Sequence, residues 1–288
     1  MPVFELIQDL PIFPTVSNAR EDGLLAVGGD LSEIRLVEAY RNGIFPWYEE
    51  GQPILWWSPD PRLVLYPENL RVSRSLRKTL RKEIFSSRIN SAFDRVIDAC
   101  AETRLSRGDG TWITEDMKKA YGRLQRKGFA MSFESWADGE LAGGLYGVTI
   151  GKCFFGESMF SKRNDASKCA LVSLVHYAEK NGIRLIDCQM RTEHLIRMGA
   201  HEIPRKVYLQ QLKRLGPKIY SKKGPLRIQL EAGTGFLIIA YVRTKGQKKL
   251  PDSTLCSIGS AVARTGRNQS GGSILSWLGG WEKSASAA

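Results

Sequence analysis

The chain has 288 residues, 42% hydrophobic and 25% charged, a length and composition suited to one large or two smaller soluble globular domains. No apolar run approaches the roughly 18 residues of a membrane helix, and M-P-V-F-E-L-I-Q-D-L lacks the layout of a signal peptide, so a cytoplasmic protein is expected. Five scattered cysteines and three histidines (His176, His194, His201) argue against a disulfide framework or a zinc site, and eight units of the +12 net charge fall in residues 216–288.

Asp30-Leu-Ser-Glu33 has the form of a capping box, with Asp30 as N-cap, opening a short helix that Gly43 ends. Three tryptophans and four prolines then crowd into Phe45–Pro61. That stretch reads either as a rigid aromatic loop closing a core or as a flat surface on which a base stacks. Ser73–Glu83 predicts a short helix with Leu76 and Leu80 inward and Arg74, Arg77, Lys78, Arg81 and Lys82 around the rest. Five cations with no acid before Glu83 repel one another, which favours a phosphate partner. An amphipathic helix spans Ser91–Glu102, and Thr114 caps another that runs to Lys127 with Met117, Tyr121 and Leu124 inward.

Strands Ala130–Trp136 and Glu140–Ile150 form a hairpin about Asp138-Gly139 and feed the strand Cys153–Ser161. Asn164–Gly182 then predicts a helix capped by Asn164 or Asp165, with Leu171, Leu174, Val175 and Ala178 on one face, followed by the strand Leu185–Gln189. A strand–helix–strand crossover makes those two strands parallel neighbours. Both are apolar except for Glu157, Asp187 and Gln189 near their carboxyl ends. Buried carboxylates mark paired networks or sites, and ligands of open α/β sheets gather beyond the carboxyl ends of strands. These three residues are therefore the candidate catalytic set. Thr192 caps a short helix, Arg205–Leu215 is the last helix, and Leu226–Val242 has room for one or two strands before a tail expected to be disordered beyond Lys245.

Meander, strand, helix, strand is the order at the centre of an acetyltransferase-like (GNAT-type) fold, so the expected class is α+β or α/β with a mixed sheet. That fold cradles CoA on a Q/R-x-x-G-x-G/A loop between strand and helix. The formal match, Gln125-Arg-Lys-Gly128-Phe-Ala130, lies at a helix end entering a strand, whereas the stretch after Ser161 reads K-R-N-D-A-S-K with no glycine. A CoA donor is disfavoured, and no cofactor or metal is expected.

Several long segments make the resemblance specific. They are G-L-L-A-V-G-G-D-L-S (23–32), G-I-F-P-W (43–47), W-W-S-P-D-P-R (56–62), G-T-W-I-T (110–114), G-G-L-Y-G-V (143–148), F-G-E-S-M-F-S (155–161), N-D-A-S-K (164–168), L-I-D-C-Q (185–189) and G-A-H-E-I-P-R (199–205). In that order, across about residues 5–215, the chain resembles the bacterial leucyl/phenylalanyl-tRNA–protein transferases. The resemblance implies a small N-terminal α/β domain (1–62), an acetyltransferase-like catalytic domain (63–215) and a basic extension (216–288) outside the family pattern. It implies transfer of Leu or Phe, and less well Met, from aminoacyl-tRNA to proteins with N-terminal Arg or Lys, by a monomer without a membrane partner. By the same resemblance Trp47, Trp112, Tyr40 and Tyr121 bind the terminal adenosine. Leu145, Phe154, Met159, Leu171, Leu174 and Ile186 form the aminoacyl pocket, and Arg74, Lys78, Arg81 and Lys82 grip the tRNA backbone. Asp187 accepts or relays a proton, Gln189 binds the amine or the ester carbonyl, and Glu157 binds the cationic acceptor end.

Two rivals remain. A thiol hydrolase would use Cys188 with His194 or His201, but strand alternation turns Cys188 away from Asp187 and Gln189. A tRNA-binding protein without catalysis would have lost one of Glu157, Asp187 or Gln189, and all three are present.

Overall fold

Short segments of the first sixty residues pair into one sheet. The protein is described by a computed structural model covering residues 3–105, 111–216, 228–233 and 236–241. Strands β1 (Phe4–Leu6), β2 (Leu24–Gly28), β3 (Phe45–Pro46) and β4 (Leu55–Trp57) lie in the order β1-β2-β4-β3, with β1 parallel to β2 and the other pairs antiparallel. Helix α1 (Glu33–Arg41) is capped by Ser32, not by Asp30 as the capping-box pattern suggested. Asp30 is drawn away because its carboxylate pairs with buried Arg35 and accepts the backbone N–H groups of Ser32 and Asp9. Trp56 and Trp57 are buried, and the Trp56 indole donates to the Gly28 carbonyl at 2.9 Å. For these two residues the core-closing reading holds, while Trp47 stays half-buried.

The second sheet has seven strands. In chain order the elements are β5 (Arg62–Leu65), α2 (Arg74–Arg81), β6 (Ser86–Ile89), α3 (Phe93–Leu105), α4 (Glu115–Arg126), β7 (Ala130–Ala137), β8 (Glu140–Ile150) and β9 (Cys153–Ser161). They continue with α5 (Ala166–Asn181), β10 (Leu185–Gln189), α6 (Glu193–Arg197), β11 (His201–Ile203) and α7 (Arg205–Leu215). The spatial order is β11-β5-β10-β9-β8-β7-β6. Only β9 and β10 pair in parallel, with Asp187 opposite Phe155, as the crossover required, and the sheet is mixed. The hairpin turn, the bounds of β9 and β10, and the extent of α7 agree with the periodicity read from the residues.

Alternate residues of β7 reach opposite sides of the sheet. Ser135 donates its hydroxyl to the Ala166 carbonyl of α5, and Glu134 accepts the Ala92 N–H at the start of α3. The α5 side holds a core cluster in which Leu63, Leu65, Phe133, Leu145, Phe154, Leu171, Leu174 and Ile186 are buried together. Two capping expectations meet different outcomes on α5. Gly182 ends it in the left-handed conformation (φ 70°), but Asp165 caps with no side-chain bond and instead receives Lys168 Nζ at 2.7 Å and Thr79 Oγ1 at 3.0 Å.

Strands β12 (Ile228–Gly233) and β13 (Phe236–Tyr241) form a separate two-stranded sheet, matching the expectation for 226–242. The expected disorder beyond Lys245 lies outside the described residues. Among the described residues no helix is long and apolar enough to cross a membrane.

Candidate active site

The carboxyl ends of β9 and β10 do not continue as regular strands. Between Tyr146/Ser158 and Gly147/Gly156 the β8–β9 register slips, leaving Glu157 as an extra residue on β9. The β10–β5 register slips between Asp187/Val64 and Gln189/Leu63, leaving Cys188 extra, and Gln189 sits at φ 63°. Bulges re-aim side chains at such places. Here they turn Gln189 toward β9, and its Nε2 donates to Glu157 Oε1 at 2.8 Å. Gly147 is needed where β8 passes the bulge, because a Cβ there would sit 2.2 Å from the Phe155 carbonyl oxygen.

Asp187 is fully buried and completely engaged. Its Oδ1 accepts Arg62 Nε at 2.8 Å and the Gln189 N–H at 2.9 Å, and its Oδ2 accepts Arg62 Nη2 and the Tyr208 hydroxyl, both at 2.6 Å. A carboxylate offers about four lone-pair positions, and all are occupied. Arg62 is itself only 1% exposed and lies over the rings of Phe45 and Tyr208, 4.7 and 4.8 Å from their centroids. Burial works against its charge, but Asp187 and Tyr208 hold the guanidinium pKa above its ordinary value. The Tyr208 phenol is raised well above its usual range by burial and stays a donor. Neither Arg62 nor Tyr208 was among the candidates. The available signal was a lone arginine heading the apolar strand R-L-V-L, since a buried cation demands an anionic partner.

Glu157 contrasts with Asp187. It is half-buried, and besides Gln189 it accepts the Tyr121 hydroxyl at 2.8 Å on Oε2; Tyr121 in turn shares a short hydrogen bond with Tyr40. Although Glu157 keeps some surface access, desolvation pushes its pKa up to about 7, against the lowering pull of Tyr121, Tyr40 and Gln189. Both tyrosines are buried, and desolvation together with the Glu157 charge keeps their phenols protonated. Three candidate catalytic residues and two candidate adenosine residues thus form one hydrogen-bonded chain, Asp187–Gln189–Glu157–Tyr121–Tyr40.

The other two adenosine candidates, Trp47 and Trp112, meet edge to face with centroids 5.4 Å apart, both half-buried. All six aminoacyl-pocket candidates share the α5-side core: Leu145, Phe154, Leu171, Leu174 and Ile186 are fully buried, and Met159 is partly so. Leu76 and Leu80 of α2 pack into the same cluster. On the outer side of that helix Arg74, Lys78, Arg81 and Lys82 are exposed, and none takes part in an ion pair among the described residues. Cys188 packs on the Ile186 side, as alternation required, and burial beside Asp187 pushes its thiol pKa far up, so it is a poor nucleophile.

Two family models match the chain: the leucyl/phenylalanyl-tRNA protein transferase N-terminal domain over residues 29–60 and the leucyl/phenylalanyl-tRNA protein transferase over 64–213. The chain belongs to this family. Relatives carrying the name leucyl/phenylalanyl-tRNA–protein transferase include one from Syntrophobacter fumaroxidans, 57% identical over 219 residues, which covers 76% of this chain and 93% of the relative. Another, from Chromobacterium violaceum, is 57% identical and covers 70% and 88% of the two chains. A third, from Aromatoleum aromaticum, is 59% identical over 68% and 83%. Glu157, Asp187, Gln189 and Tyr208 lie within the region matched to the transferase family, Arg62 and Leu63 fall between the two matched regions, and residues 216–288 lie beyond them.

Proposed function

We propose that the protein moves Leu or Phe, and less well Met, from aminoacyl-tRNA to the α-amine of proteins with N-terminal Arg or Lys, marking them for degradation. It does so as a cytoplasmic monomer. The observation that carries this reading is the Gln189–Glu157 pair, 2.8 Å apart at the strand ends, beside a Cys188 thiol that burial keeps protonated. An aminoacyl ester is already activated and a neutral amine attacks it directly, so the protein needs only to orient the two and move protons. Asp187, saturated by Arg62 and Tyr208, fixes the backbone of Gln189 and acts as a positioning residue. Gln189 hydrogen-bonds the amine or the ester carbonyl, and Glu157 binds the cationic end of the acceptor.

The Trp47–Trp112 pair offers aromatic faces to the terminal adenine, and Tyr40 and Tyr121 complete the adenosine site. The apolar cluster of Leu145, Phe154, Met159, Leu171, Leu174 and Ile186 takes the aminoacyl side chain. One methylene changes discrimination by only about 1–3 kcal/mol, which is why Met is accepted. Arg74, Lys78, Arg81 and Lys82 hold tRNA phosphates and carry little sequence information. The two sheets correspond to a small N-terminal domain (1–62) and an acetyltransferase-like domain (63–215), a division supported by the separate strand orders. The test is incubation with Phe-tRNA and a peptide beginning with Arg. Transferred Phe is expected; tRNA binding without transfer would point to a binding protein instead.

A further inference from the structure

The two carboxylates at the strand ends differ in what they have left to give. Asp187 has no free lone pair and no exposed surface, since Arg62, Tyr208 and the Gln189 N–H occupy it. Glu157 is bonded to Gln189 Nε2 and Tyr121 OH, keeps surface access, and has no cation among its hydrogen-bond partners. Among the described residues the side chains that act on it most strongly are Tyr40 from α1, Tyr121 from α4, and Gln189 and Asp187 from β10. Only the last is charged, and it is negative and already neutralised by Arg62.

We propose that Glu157 is the proton acceptor of the transfer reaction, taking the proton from the acceptor's α-ammonium so that the amine can attack. This rests on the transferase reading above. The amine nitrogen then forms the N–C bond to the ester carbonyl carbon, and the bond from that carbon to the ribose oxygen breaks. Protonated Glu157 supplies the proton to the departing oxygen and takes back the second N–H proton lost as the amide forms. One proton per turnover leaves to solvent along the exposed side of Glu157. A base works best when its pKa lies near the operating pH and near that of its partner. Desolvation sets the Glu157 carboxyl at about 7, close to the range of about 7.7–8.0 of an α-amine. Tyr121 and Tyr40, being neutral donors, hold it there without neutralising it.

The test is single-turnover transfer of Phe to an Arg-initial peptide across pH, with tRNA affinity measured alongside. For the unaltered protein the rate should climb through about pH 7, where Glu157 ionises. Glu157→Gln should lose about 10²-fold or more in rate at saturating acceptor, keep its tRNA affinity within a few-fold, and lose that ascending limb. Tyr121→Phe removes a bond that lowers the Glu157 pKa, so its limb should move to higher pH, a shift that a merely structural role would not produce. The assignment is overturned if Glu157→Gln keeps the limb, or if it raises KM while leaving the rate intact. An unmoved limb in Tyr121→Phe overturns it too. Absence of transfer by the unaltered protein, with tRNA still bound, would instead sink the transferase reading and this assignment with it.

Discussion

At the seam between β5 and β10 the cation Arg62 has its carboxylate 2.6 Å away and the rings of Phe45 and Tyr208 against it, whereas along α2 and its C-cap Arg74, Arg77, Lys78, Arg81 and Lys82 stand exposed with no carboxylate partner among the described residues. Both regions are built from ordinary charged residues, and the difference lies in solvent. A desolvated charge must be matched inside the fold, so the seam is spent on holding geometry. A hydrated charge needs no internal partner and remains available to a polyanion. Glu157 stands between these limits, stripped of much of its water yet unmatched by a cation, and that intermediate state gives a carboxyl reactivity near neutral pH.

The contrast breaks first at the seam. Arg62→Met leaves Asp187 as an uncompensated buried charge and should cost about 3–5 kcal/mol of stability in urea unfolding. Adding Asp187→Leu should recover much of it, whereas a loss under about 1 kcal/mol in the single variant would mean that the pair does not hold the strands. The next effect is at Glu157. An acid whose folded pKa is raised costs nothing while it is protonated in both states, below its unfolded value of 4.5. The cost grows as pH rises and is complete above about 7, reaching about 3 kcal/mol for this shift. Glu157→Gln should therefore gain stability relative to the unaltered protein between about pH 4.5 and 8, and equal unfolding midpoints at both ends would refute the raised pKa.

Smaller effects sharpen the exposed side. Trp112→Ala should weaken aminoacyl-tRNA binding by about 1–3 kcal/mol, the worth of one stacked base, with binding titrations as the check. Removing Arg81 and Lys82 together should lower the slope of log affinity against log salt by about one per cation while leaving stability within about 0.5 kcal/mol. An unchanged slope would take α2 out of the nucleic-acid interface.

Much of this frame could be read directly. The β9–α5–β10 crossover, its parallel pairing and the caps at Thr114 and Thr192 are local patterns, and a local pattern is complete within a few residues. Where it failed, another side chain or backbone group competed for the capping carboxylate. Asp30 gives up its cap to Ser32 because Arg35 must be neutralised, and Asp165, although it stands at the N-cap of α5, turns its carboxylate to Lys168 and to Thr79, which is 86 residues away. The strands of the first sheet run two to five residues, too short for periodicity to declare them.

The candidate chemistry was legible as a set of residue types: two carboxylates and an amide in otherwise apolar strands, an aromatic-rich loop and a row of cations. Their division of labour was not. Placing β5 between β10 and β11 brings Arg62 to Asp187 across 125 residues, and helix packing brings Tyr40 to Tyr121 across 81. Composition and periodicity settle which groups are present and which face they take, because side-chain direction follows from backbone repeat. Which carboxylate is silenced by a counter-ion and which is left open depends on the water removed and the donors delivered by strands and helices far apart in the chain. Only the tertiary structure decides that.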